Sequence, residues 1–205
     1  MRRIIEIDLA NECAVVEPGM ANLDITRAAS PHGYYYAPDP SSQQACSVCG
    51  NVAENSGGAH CLKYGFTSGH VRVLEIVTPA GKIVELGGKA TGAHGYDLIG
   101  AFIGSEGTLG VTTRVTVSLT RCPHKTVTLL SAFTSMDAGG EAVSAIIAAG
   151  VLPSAIEMMD ASAIEAAEAA VACDYPAAAA AVLVVELDGP AAEVDAQIEQ
   201  VTELF

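Results

Sequence analysis

The stretch GNVAENSGGAHCLKYG, residues 50–65, decides how this chain is read. It carries glycines at 50, 57, 58 and 65, two asparagines, Glu54, His60 and Lys63, and very few bulky apolar side chains. A packed core does not accept that composition, because buried polar and charged groups need partners. Glycine lets backbone approach another molecule closely. Successive free N–H groups then form an anion cradle. The residues around it extend the pattern: 31–70 show little hydrophobic periodicity, and such a length inside a compact domain is usually functional.

A second glycine-rich segment, GSEGTLG, occupies residues 104–110. Two such loops suit an extended, phosphate-bearing cofactor better than a small ligand. The G-x-G-x-x-G dinucleotide fingerprint is absent, since 104–110 reads G-x-x-G-x-x-G, and there is no Walker lysine motif. The competing reading is two tight turns with no ligand.

The whole chain narrows the classes further. Its 205 residues suit one large domain or one and a half smaller ones, and 50% are hydrophobic, so a sizeable core is expected. The formal net charge of −14, with no Lys/Arg stripe, argues against nucleic acid. No apolar run reaches membrane-spanning length and no secretory pattern opens the chain, so the expected compartment is the cytoplasm. The longest apolar run, 177–185, reads as a strand. Six irregularly spaced cysteines do not suggest a disulfide framework. Cys46-x-x-Cys49, with His60 and Cys61 following, is half a zinc site without its second pair. It leaves a metal-binding module as a minor reading, and no metal ligands are assigned.

Three segments emerge along the chain. Residues 3–9 alternate as a strand with Ile5, Ile7 and Leu9 on one side. A second strand lies near 14–17, followed by a helix over 22–29. Residues 71–120 return to β structure: two strands flank Ala80-Gly81 as a hairpin. In the next strand Thr113, Val115, Val117 and Leu119 face one way, and Arg114, Thr116 and Ser118 the other. The texture changes after Cys122-Pro123, where a domain boundary is placed. A β-α-β-α-β-α pattern follows. Gly150 ends its first helix, and Asp160 caps a helix with Ile164, Ala167 and Val171 as its apolar stripe. Pro190 stands at the first position of a last helix, whose stripe is Val194, Ile198, Val201 and Phe205. The fold class is α+β.

APDPSSQQACSVCGNVAENSGGAHCLKYGFTSGHV together with GSEGTLGVTTRVTVSL resembles the FAD-linked oxidases with a PCMH-type, vanillyl-alcohol-oxidase-like flavin domain. The nearest likeness is to the branch holding the FAD-binding chains of glycolate oxidases and the D-lactate dehydrogenases. It runs over essentially the whole chain, including IEMMD and VVELDG. The resemblance implies that residues 1–122 are the second part of a PCMH-type FAD-binding domain. Residues 123–205 would be the first part of a ferredoxin-like α+β cap domain. The family's upstream pyrophosphate loop and its late histidine motif are absent, and the five histidines (His32, His60, His70, His94, His124) do not supply the latter. The chain therefore reads as a fragment of a longer protein.

For the cofactor, FAD, the resemblance implies the following contacts. Asp39, Pro40, Ser42, Cys46 and Ser47 would lie along the pyrophosphate and ribityl part. Gly50, Asn51, Asn55, Gly57 and Gly58 would bring backbone to the flavin, with Tyr64 and Gly65 at the ring's edge. Glu106, Gly110 and Val111 would meet the adenosine end. Lys63, where many relatives carry Arg, would offer its charge to a substrate carboxylate. Cys49 replaces a family glycine, which a close backbone approach tolerates only at negative φ.

The implied activity is oxidation of a small 2-hydroxy acid, glycolate or D-lactate, to the 2-oxo acid by hydride transfer to FAD. No catalytic base is assigned, and His60 is read first as a loop residue hydrogen-bonded to backbone. The alternative is a non-catalytic folded scaffold that binds FAD weakly or not at all. The resemblance also implies iron–sulfur electron-transfer partner subunits. Apolar surface left exposed predicts self-association.

Overall fold

The structure, a computed structural model, describes residues 1–89, 95–176 and 178–205. His94 and Ala177, the first residue of the long apolar run, lie outside the described residues. Two compact units divide at Cys122/Pro123.

The first unit contains β1 (Ile4–Asp8), β2 (Cys13–Val16), α1 (Asn22–Ala29), β3 (Tyr34–Tyr35), α2 (Val48–Glu54) and α3 (Cys61–Tyr64). It continues with β4 (Val71–Val77), β5 (Ile83–Gly87), α4 (Leu98–Phe102), β6 (Val111–Ser118) and β7 (Thr120–Arg121). Five strands form an antiparallel sheet in the order β1-β2-β6-β4-β5, while β3 and β7 pair separately. Single 3-10 turns cover Ser30–His32 and Thr67–His70.

Helices pack on one side of the sheet because their apolar residues recur at helical spacing. Ile25 and Ala29 of α1, Val48 and Val52 of α2 and Phe102 of α4 meet Leu74, Ile76, Val115 and Val117 of the strands.

Two β-bulges alter the faces expected from simple alternation. The β1–β2 register shifts between Ile4 and Glu6. Ile4 and Ile7 therefore pack on the core, and Ile5 and Leu9, expected beside Ile7, are exposed. The β4–β6 register shifts between Glu75 and Ile76, where one extra residue of β6, Thr113, is accommodated. Val115, Val117 and Leu119 are buried as expected, but Thr113 is only half-buried and donates its hydroxyl to the Glu75 carbonyl and carboxylate. A bulge inserts one residue and so reverses the side-chain alternation beyond it.

The second unit runs β8 (Lys125–Phe133), α5 (Met136–Ala148), β9 (Ala155–Asp160), α6 (Ala161–Val171), β10 (Ala181–Gly189) and α7 (Ala191–Leu204). Its antiparallel sheet has the order β8-β10-β9. Leu183, Val185 and Leu187 form its centre with Ile146 of α5 and Val194 and Val201 of α7. Gly150, at φ +80°, follows the end of α5 as expected. Pro190 is the N-cap of α7 rather than its first helical residue, with extended backbone (ψ 137°). In α6 only Ile164 is buried. Val171 is 73% exposed, because the helix ends there and Ala172 turns left-handed.

Asp160 caps α6, accepting from the Ala163 amide at 2.7 Å. Asp160→Ala is expected to cost about 1 kcal/mol. Pro190→Ala, at a cap with no side-chain hydrogen bond, removes no such bond. Urea unfolding of the two variants checks the difference.

Candidate functional site

The segment before residue 50 is tied to its surroundings by long-range hydrogen bonds. Residues 40–46 form a tight turn in which Gln43 donates to Pro40, and Ala45 and Cys46 both donate to the Ser42 carbonyl. The first amides of α2 all find acceptors, two of them in a distant turn. Val48 N–H donates to Met20, Cys49 N–H to Pro18, Gly50 N–H to the Ser47 hydroxyl and Asn51 N–H to the Ser47 carbonyl. Cys49 lies inside α2 with helical, negative φ, so its Cβ is accommodated.

Asn51 is only 2% exposed. Its side-chain amide donates to Asn22 at 2.8 Å, and Asn22 donates to the Pro38 carbonyl at 2.7 Å. This buried relay holds α1, α2 and the 37–40 segment together. Asn22 was not singled out in the sequence, where only its position at the start of a helix is visible.

The far end of α2 meets the second glycine-rich loop. Gly104 N–H donates to the Val52 carbonyl at 2.8 Å and Glu106 N–H to the Ala53 carbonyl at 3.0 Å. Asn55 closes the helix in the left-handed region and its side chain accepts from Ser68 N–H. The two glycine-rich stretches are thus brought together at Asn55 and residues 104–106. Glu106 is exposed, while Gly110 lies against the Val77 carbonyl and Val111 opens β6.

Residues 57–65 fold back over Asp39. At Gly58 a Cβ would stand 2.1 Å from the Asp39 carbonyl oxygen, so only glycine permits this approach. Gly57 packs just as tightly against Cys61 and the Phe66 ring. The Asp39 carboxylate accepts from His60 Nδ1–H at 2.6 Å. The next residues form an aromatic and cationic group. Lys63 Nζ lies 5.7 Å from the Tyr64 ring centre. Tyr35 meets the same ring edge-on at 6.1 Å. His70 Nε2–H donates to the Tyr64 carbonyl at 2.7 Å, and the His70 ring meets Tyr36 edge-on. Tyr36 is buried beside Thr67 and Cys46, and burial holds its phenol far above its ordinary range. Gly65 stands at φ +81°, and no described residue lies within 4 Å of its Cβ position. Tyr35 and His70 joined the group unannounced by any sequence signal beyond the YYY run.

Burial lowers the His70 pKa from 6.5. The unfolded chain then binds a proton that the folded one does not, so stability is full above pH 6.5 and falls as pH drops below it. A second loss is expected lower down. Lys89 and Asn11 hold the Asp8 carboxyl at about 2, against 3.8 unperturbed. Its contribution is present above 3.8 and disappears as pH falls towards 2. Thermal unfolding from about pH 2 to about pH 8 checks both, and His70→Gln should remove the step below 6.5 alone.

Whether a flavin nucleotide fits can be judged from these donors. The left-handed glycine at 65, the Tyr35 and Tyr64 rings and the Lys63 ammonium suit a planar, polar-edged ring system. Among the described residues no group of three or more His, Cys, Asp or Glu could hold a metal ion, and no helix is long and apolar enough to cross a membrane.

Comparison with known proteins adds the following. Residues 1–87 match the model of an FAD binding domain, and residues 122–205 that of the C-terminal domain of FAD linked oxidases. Glycolate oxidase subunit GlcD of Escherichia coli K12 is 47% identical over 204 residues, covering 100% of this chain and 41% of the relative. The Bacillus subtilis GlcD is 42% identical, covering 98% and 43%. A D-lactate dehydrogenase of Anaerostipes hadrus is 34% identical, covering 78% and 34%. The chain thus spans about two-fifths of the length of the first two. Among solved structures, an alkyldihydroxyacetonephosphate synthase superposes with a TM-score of 0.88 at 21% identity, over 100% of this chain and 40% of the other, which speaks to fold alone.

Proposed function

The chain belongs to the FAD-linked oxidase family, and from that premise we propose that it forms part of a flavin-dependent enzyme oxidising a small 2-hydroxy acid, glycolate or D-lactate, to the 2-oxo acid. The observation that carries the reading is the fold-back of residues 57–65 over Asp39, which gathers Lys63, Tyr64 and Gly65 beside Tyr35. FAD, when bound, supplies the two-electron acceptor for a hydride from the α-carbon. Gly57, Gly58 and Gly65 would bring backbone to it, with Tyr64 at its edge. The Lys63 ammonium would meet the substrate carboxylate as a point charge rather than a bidentate fork. His60, its Nδ1–H fixed on Asp39, keeps one ring orientation.

The relatives named as glycolate oxidase subunits support assembly with further chains. Iron–sulfur electron-transfer subunits are the finer form of that proposal, and self-association of this chain is the other. A second reading, a non-catalytic folded scaffold that binds FAD weakly or not at all, is favoured by the amides at the start of α2, which already donate to protein oxygens.

A visible absorption spectrum of the purified chain after FAD loading and gel filtration tests the choice. A retained, perturbed flavin band that bleaches on anaerobic addition of glycolate or D-lactate is the expected result for the enzyme reading. A retained band that neither acid bleaches supports the scaffold.

A further inference from the structure

The five-stranded sheet of the first unit buries one face under α1, α2 and α4. Strand register builds the opposite face. Val15, Thr116 and Val73 stand directly across from one another on β2, β6 and β4. Two residues along, about 7 Å away, Arg114, Glu75 and Glu85 form a second row across β6, β4 and β5. The two rows line a cavity of about 270 Å³, just under the range of about 300–1,000 Å³ that takes drug-sized molecules. Val15 and Val73 supply its apolar floor. Thr116 lines it too and is only 5% exposed, and its hydroxyl makes no hydrogen bond to another described residue. A buried hydroxyl ordinarily has a partner.

The charges around the cavity do not balance. Arg114 pairs with Glu75 at 3.0 Å. Lys89, on the rim, is taken by Glu6 at 3.2 Å and Asp8 at 2.8 Å. Glu85 stands directly opposite Glu75 and forms no ion pair with a described residue. Like charges facing each other across strands repel, so a positive charge between these two carboxylates is favourable. Among the described residues no group of three His, Cys, Asp or Glu could hold a metal ion there, which points to an organic cation.

We propose that this cavity binds a small organic monocation. It is a primary amine whose ammonium sits between Glu75 and Glu85 and whose apolar body covers Val15 and Val73. A second polar group, about 7 Å from the nitrogen, meets the Thr116 hydroxyl. The site lies on the sheet face turned away from the helices and does not depend on the flavin reading.

Tyramine is the probe, because it carries a phenol at the far end from its ammonium. Titration of the isotope-labelled purified chain, followed by amide chemical shifts, tests the proposal. Tyramine is expected to shift amides of β4, β5 and β6, and to bind about fivefold or more tighter than its neutral alcohol analogue, tyrosol. That advantage should fade with salt. Glu85→Gln should weaken tyramine about fivefold and leave tyrosol unchanged. Thr116→Val, of nearly the same shape, should reduce tyramine to the affinity of phenethylamine, which lacks the phenol oxygen. Neither substitution disturbs the buried helix-side core, and the amide spectrum reports directly whether each variant is folded. Binding of 4-hydroxyphenylacetate as tight as that of tyramine would overturn the proposal. So would a tyramine affinity that Glu85→Gln leaves unmoved, a phenol advantage that survives Thr116→Val, or no shift of these strands up to about 10 mM tyramine.

Discussion

Gly58→Ala is expected to destabilise the first unit by about 3 kcal/mol, the upper end of what overpacking costs. The added methyl would lie 2.1 Å from the Asp39 carbonyl oxygen and 2.5 Å from its carbon. These are backbone atoms, so no rotamer change relieves the clash. Either residues 57–65 lift off Asp39 or the 37–40 segment moves. Both responses stretch the His60–Asp39 hydrogen bond. At about 4 °C per kcal/mol for a unit of this size, the unfolding midpoint should fall by about 12 °C. Gly69→Ala is the matched control, because no described residue lies within 4 Å of its Cβ position, and it should stay within about 0.5 kcal/mol of the parent. A Gly58→Ala chain as stable as the control would show that the approach of the two segments is not tight.

The second large effect is expected at Asn22, which is fully buried. Asn22→Ala removes the donor to the Pro38 carbonyl and the acceptor for Asn51 in one step. Each stranded group costs about 1–3 kcal/mol when buried, so a loss of about 3 kcal/mol is predicted. Asn51→Ala leaves only the Asn22 carbonyl oxygen without its partner, and roughly half that loss follows. Urea unfolding should order the three proteins as parent, Asn51→Ala, Asn22→Ala. Equal losses in the two variants would mean that the relay does not act as a chain.

Both effects concern features that local pattern does not reveal. The elements themselves were legible. Helix α1 follows from its apolar spacing, β4 and β5 from the hairpin signal at Ala80-Gly81, and the second unit from alternating strand and helix periods. The caps at Asp160 and Gly150 follow from residue chemistry. The bulges were not legible, because a register shift depends on the partner strand: Ile5 and Thr113 keep their place in the sequence pattern and lose it in the sheet.

The candidate site divides in the same way. That residues 50–65 are built for close approach was visible in their glycines. What Gly58 approaches was not, since Asp39 is nineteen residues earlier, and its first close neighbour is protein. The amides of α2 looked available because their acceptors, Pro18 and Met20, belong to a distant turn. Lys63 and Tyr64 could be named from the family pattern, but the Tyr35 and His70 contacts that hold Tyr64 in place arise only when the chain folds.

The account stands on a flavin lying against the backbone of residues 57–65, and amide hydrogen exchange with and without saturating flavin addresses that directly. Peptides covering 57–66 are expected to exchange about tenfold or more slowly when riboflavin or FAD is bound. Unchanged exchange throughout 35–66 in a chain that demonstrably holds flavin, or protection confined to 123–205, would contradict it.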